Sequence, residues 1–122
     1  MLLAQWNYTK EEWKKFQKWK QRERGFISYL LYWLNPLKER KCPEVRITAD
    51  RVWTNNFHEP FQNSTRQFRH ITIREAGNIN VLEIYFELKN KVCDIIIPIP
   101  KGKLREAIEL QERLLLDNVS IG

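Results

Sequence analysis

The sequence predicts an α+β domain: a bent antiparallel sheet or barrel, closed by a C-terminal helix and preceded by an N-terminal helical segment. Three observations carry this. Between Glu44 and Leu88 the apolar residues recur with a period of two. In "CDIIIPIPKGK", residues 93–103, a run of isoleucines stops at two prolines and a basic corner. Beyond that corner the period becomes helical. The 122 residues suit a single domain, and 30% charged with 12% aromatic residues is a globular composition.

The first element is expected to start at Thr9. Thr9 followed by Glu12 forms a capping box, in which the hydroxyl takes a free amide of the first turn and the carboxylate reaches back. Trp13 and Phe16 then fall on one face, while "KKFQKWKQRERG" is largely polar all round. After Gly25 the run "FISYLLYWL", residues 26–34, has helical spacing and ends at Asn35-Pro36, because a residue before proline is pushed out of the α region. Those nine residues fall short of the roughly 20 that a membrane-crossing helix needs. They are left to pack on the domain, lie in an interface or join a second copy of the chain.

"EVRIT" and "RVWTN" read as strands joined at Ala49-Asp50. "NFHEPFQNST" reads as a polar loop with a short irregular strand, broken by Pro60. "QFRHITIRE" and "NVLEIYFEL" form a hairpin about Gly77-Asn78, with Leu82, Ile84, Phe86 and Leu88 on one face and Glu83, Tyr85 and Glu87 on the other. Asn90 turns the chain into "VCDIIIPI", where Cys93 alternates with isoleucines and reads as a buried small hydrophobe. Pro98 and Pro100 lack amide donors, so this strand must end there or lie at a sheet edge. Leu104, Ala107, Ile108, Gln111 and Leu115 then mark an amphipathic helix laid across the sheet, with Leu110 and Leu114 alongside and Glu109–Arg113 as an outer ion pair. The expected organisation is one compact unit, with residues 1–43 supplying the basic aromatic helix and the apolar segment, and 44–122 the sheet and its helix.

Short antiparallel strands closed by one C-terminal helix are the order of pleckstrin-homology-like (PH-like) domains. Within that class, residues 44–116 resemble the bacterial PH-like domain of the YcxB-like group, uncharacterised and often membrane-associated proteins. The resemblance rests on "VRITADRVW", "RHITIREAGNINVLEIYF" and "IIIPIPKGKLREAIELQERL", and "YTKEEWKKF" is similar to the group's preceding helix. The chain departs from the group at one place. A transmembrane hairpin usually lies between helix and sheet there, and here only "FISYLLYWLNPLKERKC" does.

The formal charge of +6 is concentrated: residues 10–24 carry seven Lys or Arg against three Glu, whereas 76–122 are near neutral. Trp13, Lys14, Lys15, Lys18, Trp19, Lys20, Arg22 and Arg24 are therefore the candidate contacts for an anionic surface. Tryptophan with lysine on a helix suits the headgroup region of a bilayer. It also suits single-stranded nucleic acid, the alternative partner. Equally, Trp13 and Phe16 could simply pack on the sheet while the lysines face water. Arg66 and Arg69 after the polar loop are a second candidate basic rim.

Catalysis is not expected. The only histidines, His58 and His70, would have to converge with Glu59, and no nucleophile elbow, Gly-rich phosphate loop or zinc-binding motif is present. The two cysteines lack metal-ligand spacing, and no metal or cofactor is expected. "MLLAQWNY" lacks the features of a secretory signal, which with the free cysteines implies a cytoplasmic protein, and the basic helix adds attachment at the inner membrane face. The reading is thus a non-catalytic PH-like binding or regulatory module acting at that face or on a protein partner, with a homo-oligomer through 26–34 as a further expectation.

Overall fold

The computed structural model describes residues 2–24, 43–55, 57–76 and 78–119, apart from the side chains of 21–24, 76 and 119. The expectations for 26–34, including the oligomer contact, and for Cys42 lie outside the described residues. In chain order the elements are β1 (Leu2–Trp6), α1 (Lys10–Arg24), β2 (Val45–Thr48), β3 (Arg51–Thr54), β4 (Phe57–Pro60), β5 (Arg66–Ala76), β6 (Ile79–Leu88), β7 (Lys91–Ile99) and α2 (Leu104–Val119). They make two antiparallel sheets, β1-β2-β3-β4 and β5-β6-β7.

Two expectations are corrected at this level. The helix capped at Thr9 is not the first element: Leu2–Trp6 is a strand paired with β2, so the sheet begins before the helix. Nor is there a closed barrel among the described residues. Pro60 ends β4, and Pro98 sits in the edge strand β7, where a missing donor faces no neighbour.

Turn chemistry fixes the registers. Thr48 donates to Asp50 at 3.0 Å across the β2–β3 turn, and the Asp50 carbonyl accepts the amide of Phe61 at 2.8 Å, tying β4's end to that turn. Lys89 and Asn90 both have positive φ, 51° and 65°, the geometry of the tight two-residue hairpin between β6 and β7. In β5 a bulge at Arg69 breaks the alternation, so that Phe68 and Ile71 both reach the core.

The core lies between the sheets and under α2. Trp6, Ile47 and Val52 come from the first sheet, Ile71, Ile84 and Phe86 from the second, and Ala107, Leu110 and Leu114 from the helix. The buried stripe of α2 is therefore rotated from the expected one. Leu104 and Ile108 are exposed, and Gln111 uses its amide to reach the Ile71 carbonyl at 3.0 Å. The outer ion pair is Arg113–Asp117 rather than Glu109–Arg113. Cys93 is half-buried, because it lies at the open start of β7.

The second sheet is covered on its other face too. Val81 and Glu83 are buried although they alternate with Leu82 and Ile84, and α1 packs against this strand. Tyr8, Trp13, Phe16 and Trp19 form a continuous aromatic series with centroid separations of 5.5, 5.2 and 6.1 Å. The Arg74 guanidinium lies over the Trp19 ring at 5.3 Å and pairs with Glu83 at 3.1 Å. Buried Glu83 thus meets a cation that is itself packed by the helix.

The start of α1 is tied to the corner after β7. Thr9 and Glu12 form the expected capping box, at 2.9 and 3.1 Å. Glu12 also accepts the Lys101 amide at 2.7 Å, and Tyr8 donates its hydroxyl to the Pro98 carbonyl at 2.8 Å. Burial, with the Glu12 carboxylate nearby, raises the Tyr8 phenol well above its ordinary range. For Glu12, slight burial pushes the pKa up, but the Thr9 and Lys101 amides outweigh it and the net shift is downward. A depressed carboxylate stabilises the fold above its ordinary pKa of about 4.3 and loses that contribution as pH falls through its folded value. Glu12→Gln is therefore expected to lower stability at pH 7 by about 0.3–1 kcal/mol, the scale of a charge at a helix N-terminus. Urea titrations at neutral and at strongly acidic pH should show the wild-type advantage vanishing in acid.

Candidate binding surfaces

Helix α1 separates the candidate anionic-surface residues into two sets. Trp13 and Lys20 are 5% and 1% exposed, and Phe16 between them is 1% exposed. These three, at i, i+3 and i+7, form the side that faces the sheet, with the Lys20 ammonium 6.0 Å from the Phe16 ring centre. Trp19 is half-buried beneath Arg74. Lys14, Lys15 and Lys18 are exposed on the opposite side of the helix, where exposed Glu11 stands among them, and Lys10 is exposed on its flank. Trp13 and Lys20 therefore leave the set available to a partner, and the exposed lysines stay. The side chains of Arg22 and Arg24 lie outside the described ones.

The second basic rim is engaged internally. Arg66 pairs with Glu59, donates to the Pro60 carbonyl at 2.9 Å and stacks over Phe86 at 5.2 Å. Its side chain is 14% exposed and that of Glu59 10%, so this is a nearly buried ion pair joining β4 to β5. Arg69, the bulge residue, pairs with Glu87 on the neighbouring strand. Arg66 and Arg69 thus act as clamps between strands, and neither guanidinium is presented as a bare cation.

Beside them an open groove of about 400 Å³ runs between the loop after β4 and the β6–β7 turn. Gln62, Asn63, Ser64, Lys89 and Asn90 line it. The Asn63 side-chain oxygen accepts from the Thr65 and Arg66 amides, both at 2.8 Å, and the Gln62 oxygen accepts from the Phe68 amide at 2.9 Å. Two of the groove's amide side chains therefore spend their oxygens holding the loop. The sequence reading did not single this groove out, though "QNST" followed by the turn residues of "KNK" was its signal.

The outer face of the first sheet carries a ladder that the sequence reading also missed. Arg46, Trp53 and His58 are cross-strand neighbours, with Arg46 over the Trp53 ring at 5.4 Å and the His58 ring 4.7 Å from it. Arg51 reaches His58 Nδ1 at 3.3 Å and binds Asp50 through a second nitrogen at 3.1 Å. The Arg51 guanidinium and the Thr48 hydroxyl, against slight burial, hold the Asp50 carboxyl below its usual range.

His58, Glu59 and His70 do not converge. His58 and Glu59 point to opposite faces of β4, and His70 is exposed on β5 of the other sheet. Among the described residues no group of three His, Cys, Asp or Glu side chains is placed to hold a metal ion. Among them, too, no helix is long and apolar enough to cross a membrane. Comparison of the chain with protein-family models, with curated proteins and with solved structures finds no match.

Removing one partner of a buried ion pair leaves the other desolvated and uncompensated, at a cost of about 3–5 kcal/mol. Glu59→Ala is therefore expected to destabilise the fold by about that amount. The exposed Arg69 clamp should matter far less, so Arg69→Ala should cost about 0–1 kcal/mol in the same urea titration.

Proposed function

We propose that this chain is a non-catalytic PH-like binding module that meets an anionic lipid surface through the lysine side of α1. The observation that carries the reading is the division of that helix. Its aromatic side is committed to the sheet, and Lys14, Lys15 and Lys18 stand together on the other side around Glu11, with Lys10 on the flank. The PH-like part of the reading is supported by a sheet of β1–β4 and then one of β5–β7, followed by one helix, with α1 inserted between β1 and β2. In sequence, the basic stretch 10–24 is followed after one residue by the apolar stretch 26–34, a juxtaposition that suits a membrane surface.

Contact through lysines alone makes attachment electrostatic. Each lysine near an anionic bilayer contributes about 1 kcal/mol, and the attraction falls off within a Debye length of roughly 8 Å at physiological salt. Buried Trp13 and Phe16 are support for the helix, so their replacement would act on folding rather than on lipid contact.

The test is co-sedimentation of the whole chain with vesicles of neutral lipid and with vesicles containing phosphatidylserine. Binding is expected only to the anionic vesicles and should decline with added salt. The triple variant Lys14→Glu, Lys15→Glu, Lys18→Glu is expected to weaken it by at least about a hundredfold at roughly 1 kcal/mol per lysine, with circular dichroism unchanged. Equal binding of the folded triple variant would overturn the lysine contact. A chain released from vesicles by sub-stoichiometric oligonucleotide would favour nucleic acid instead.

A further inference from the structure

The rotation of α2 described above leaves an apolar ridge uncovered. Leu104, Ile108 and Leu116 are 41%, 43% and 68% exposed, and with exposed Glu112 they form a single i, i+4 row along the helix. The buried residues Ala107, Leu110 and Leu114 occupy the other side. Three large apolar side chains in one row differ from the isolated exposed residues that any surface carries.

The row beside this ridge says what fits it. Arg105, Glu109, Arg113 and Asp117 are all exposed and follow one another at intervals of four, so their charges alternate in sign. Such a row reads as its own complement when reversed. Two copies laid antiparallel place Arg105 opposite Asp117 of the second copy and Glu109 opposite its Arg113. A parallel arrangement would set each charge against its like. In the ridge, antiparallel alignment brings Leu104 against Leu116 of the second copy and leaves Ile108 beside its Glu112, at the exposed margin of the contact.

The charge at the helix ends supports the same arrangement. Lys101, Lys103 and Arg105 outnumber Glu106 at the N-terminal end, the last turn has no basic residue, and Asp117 lies there. Most of that distribution opposes the helix's own dipole. An antiparallel neighbour offsets it, because each basic N-terminal end then meets an acidic C-terminal end. The intrachain Arg113–Asp117 contact, at 3.3 Å with side chains 50% and 37% exposed, is weak enough to exchange.

We propose that α2 is a self-association surface, on which two copies of this chain pair antiparallel through the Leu104–Ile108–Leu116 ridge and the alternating charge row beside it. Such contacts are symmetric by construction, as in most soluble homodimers.

Sedimentation equilibrium of the full chain over a range of concentrations tests this, beginning from a monomer of 14.8 kDa. A reversible dimer is expected. Two exposed-site variants then probe the register: Arg105→Glu with Arg113→Glu makes the row wholly acidic, and Glu109→Lys with Asp117→Lys makes it wholly basic. Each alone is expected to raise the dimer dissociation constant by at least about tenfold through like-charge juxtaposition. Mixing the two in equal amounts should restore a dimer tighter than either forms alone. Circular dichroism establishes that both variants are folded, and Ile108→Glu provides an independent disruption of the ridge. A wild-type chain that stays monomeric throughout would overturn the proposal and leave the ridge to a different partner. Dimers that persist in both charge variants, or that fail to reappear on mixing, would overturn it as well.

Discussion

Pro98 and Pro100 remove two amide donors from the end of β7, and much of the molecule is arranged around the carbonyls that remain. The Pro98 carbonyl accepts the Tyr8 hydroxyl, and the Pro100 carbonyl accepts the Lys103 amide at 3.0 Å. Just after Pro100 the Lys101 amide goes to Glu12, and Gly102 turns the chain at φ 85°, a conformation that costs glycine little. In the first turn of α2, Glu106 accepts the Trp6 indole N–H at 3.0 Å. Strand β1, the cap of α1, the edge of the second sheet and the start of α2 therefore meet at one corner. A strand able to continue would leave several of these bonds without a partner.

This corner explains why α1 belongs to the fold and is not an appendage. Its first turn is bonded to β7, and its aromatic side covers the back of β6. There it covers Val81 and Glu83, with Arg74 lying over Trp19 and paired to Glu83. A carboxylate is tolerated at 4% exposure because a guanidinium that is itself 45% exposed neutralises it while stacked over the Trp19 ring. The lysines follow from the same packing. A helix whose one side is spent on the core must keep its other side wet, and here that side is cationic. Core packing and a cationic surface are thus two sides of one helix, not rival explanations of it.

What could be read in the sequence was what depends on near neighbours. The capping box at Thr9–Glu12, the turn at Ala49-Asp50, the long hairpin and the edge strand marked by Pro98 are each signalled within a few residues, and each stands in the structure. Strand β1 was not legible, because "LLAQW" has five residues and its partner lies some 40 residues further on, across α1. The face of α2 was misjudged because leucines and isoleucine surround most of that helix. Periodicity alone cannot choose among several apolar stripes. Arg66 and Arg69 looked like a basic rim for a related reason. Their carboxylate partners are brought close only by the fold, Glu87 by the pairing of β5 with β6 and Glu59 by the way the loop after β4 carries the chain into the second sheet. The Arg46–Trp53–His58 ladder was hidden in the same way, since cross-strand neighbours have no signature along the chain.

The two proposed surfaces bear on one another through magnitude. An α1 that offers lysines but no inserted ring gains about 1 kcal/mol per lysine, so a few of them give only roughly millimolar attachment. That is weak for a chain whose charge is otherwise nearly balanced beyond residue 75. Pairing through α2 changes this without adding any contact to lipid. Where both lysine rows reach one surface, the second engagement becomes intramolecular, and avidity can exceed the single affinity by about 10²–10⁴. Attachment would then depend on protein concentration as well as on salt. A row of lysines too weak to hold one copy would become a surface contact that responds to how many copies are present.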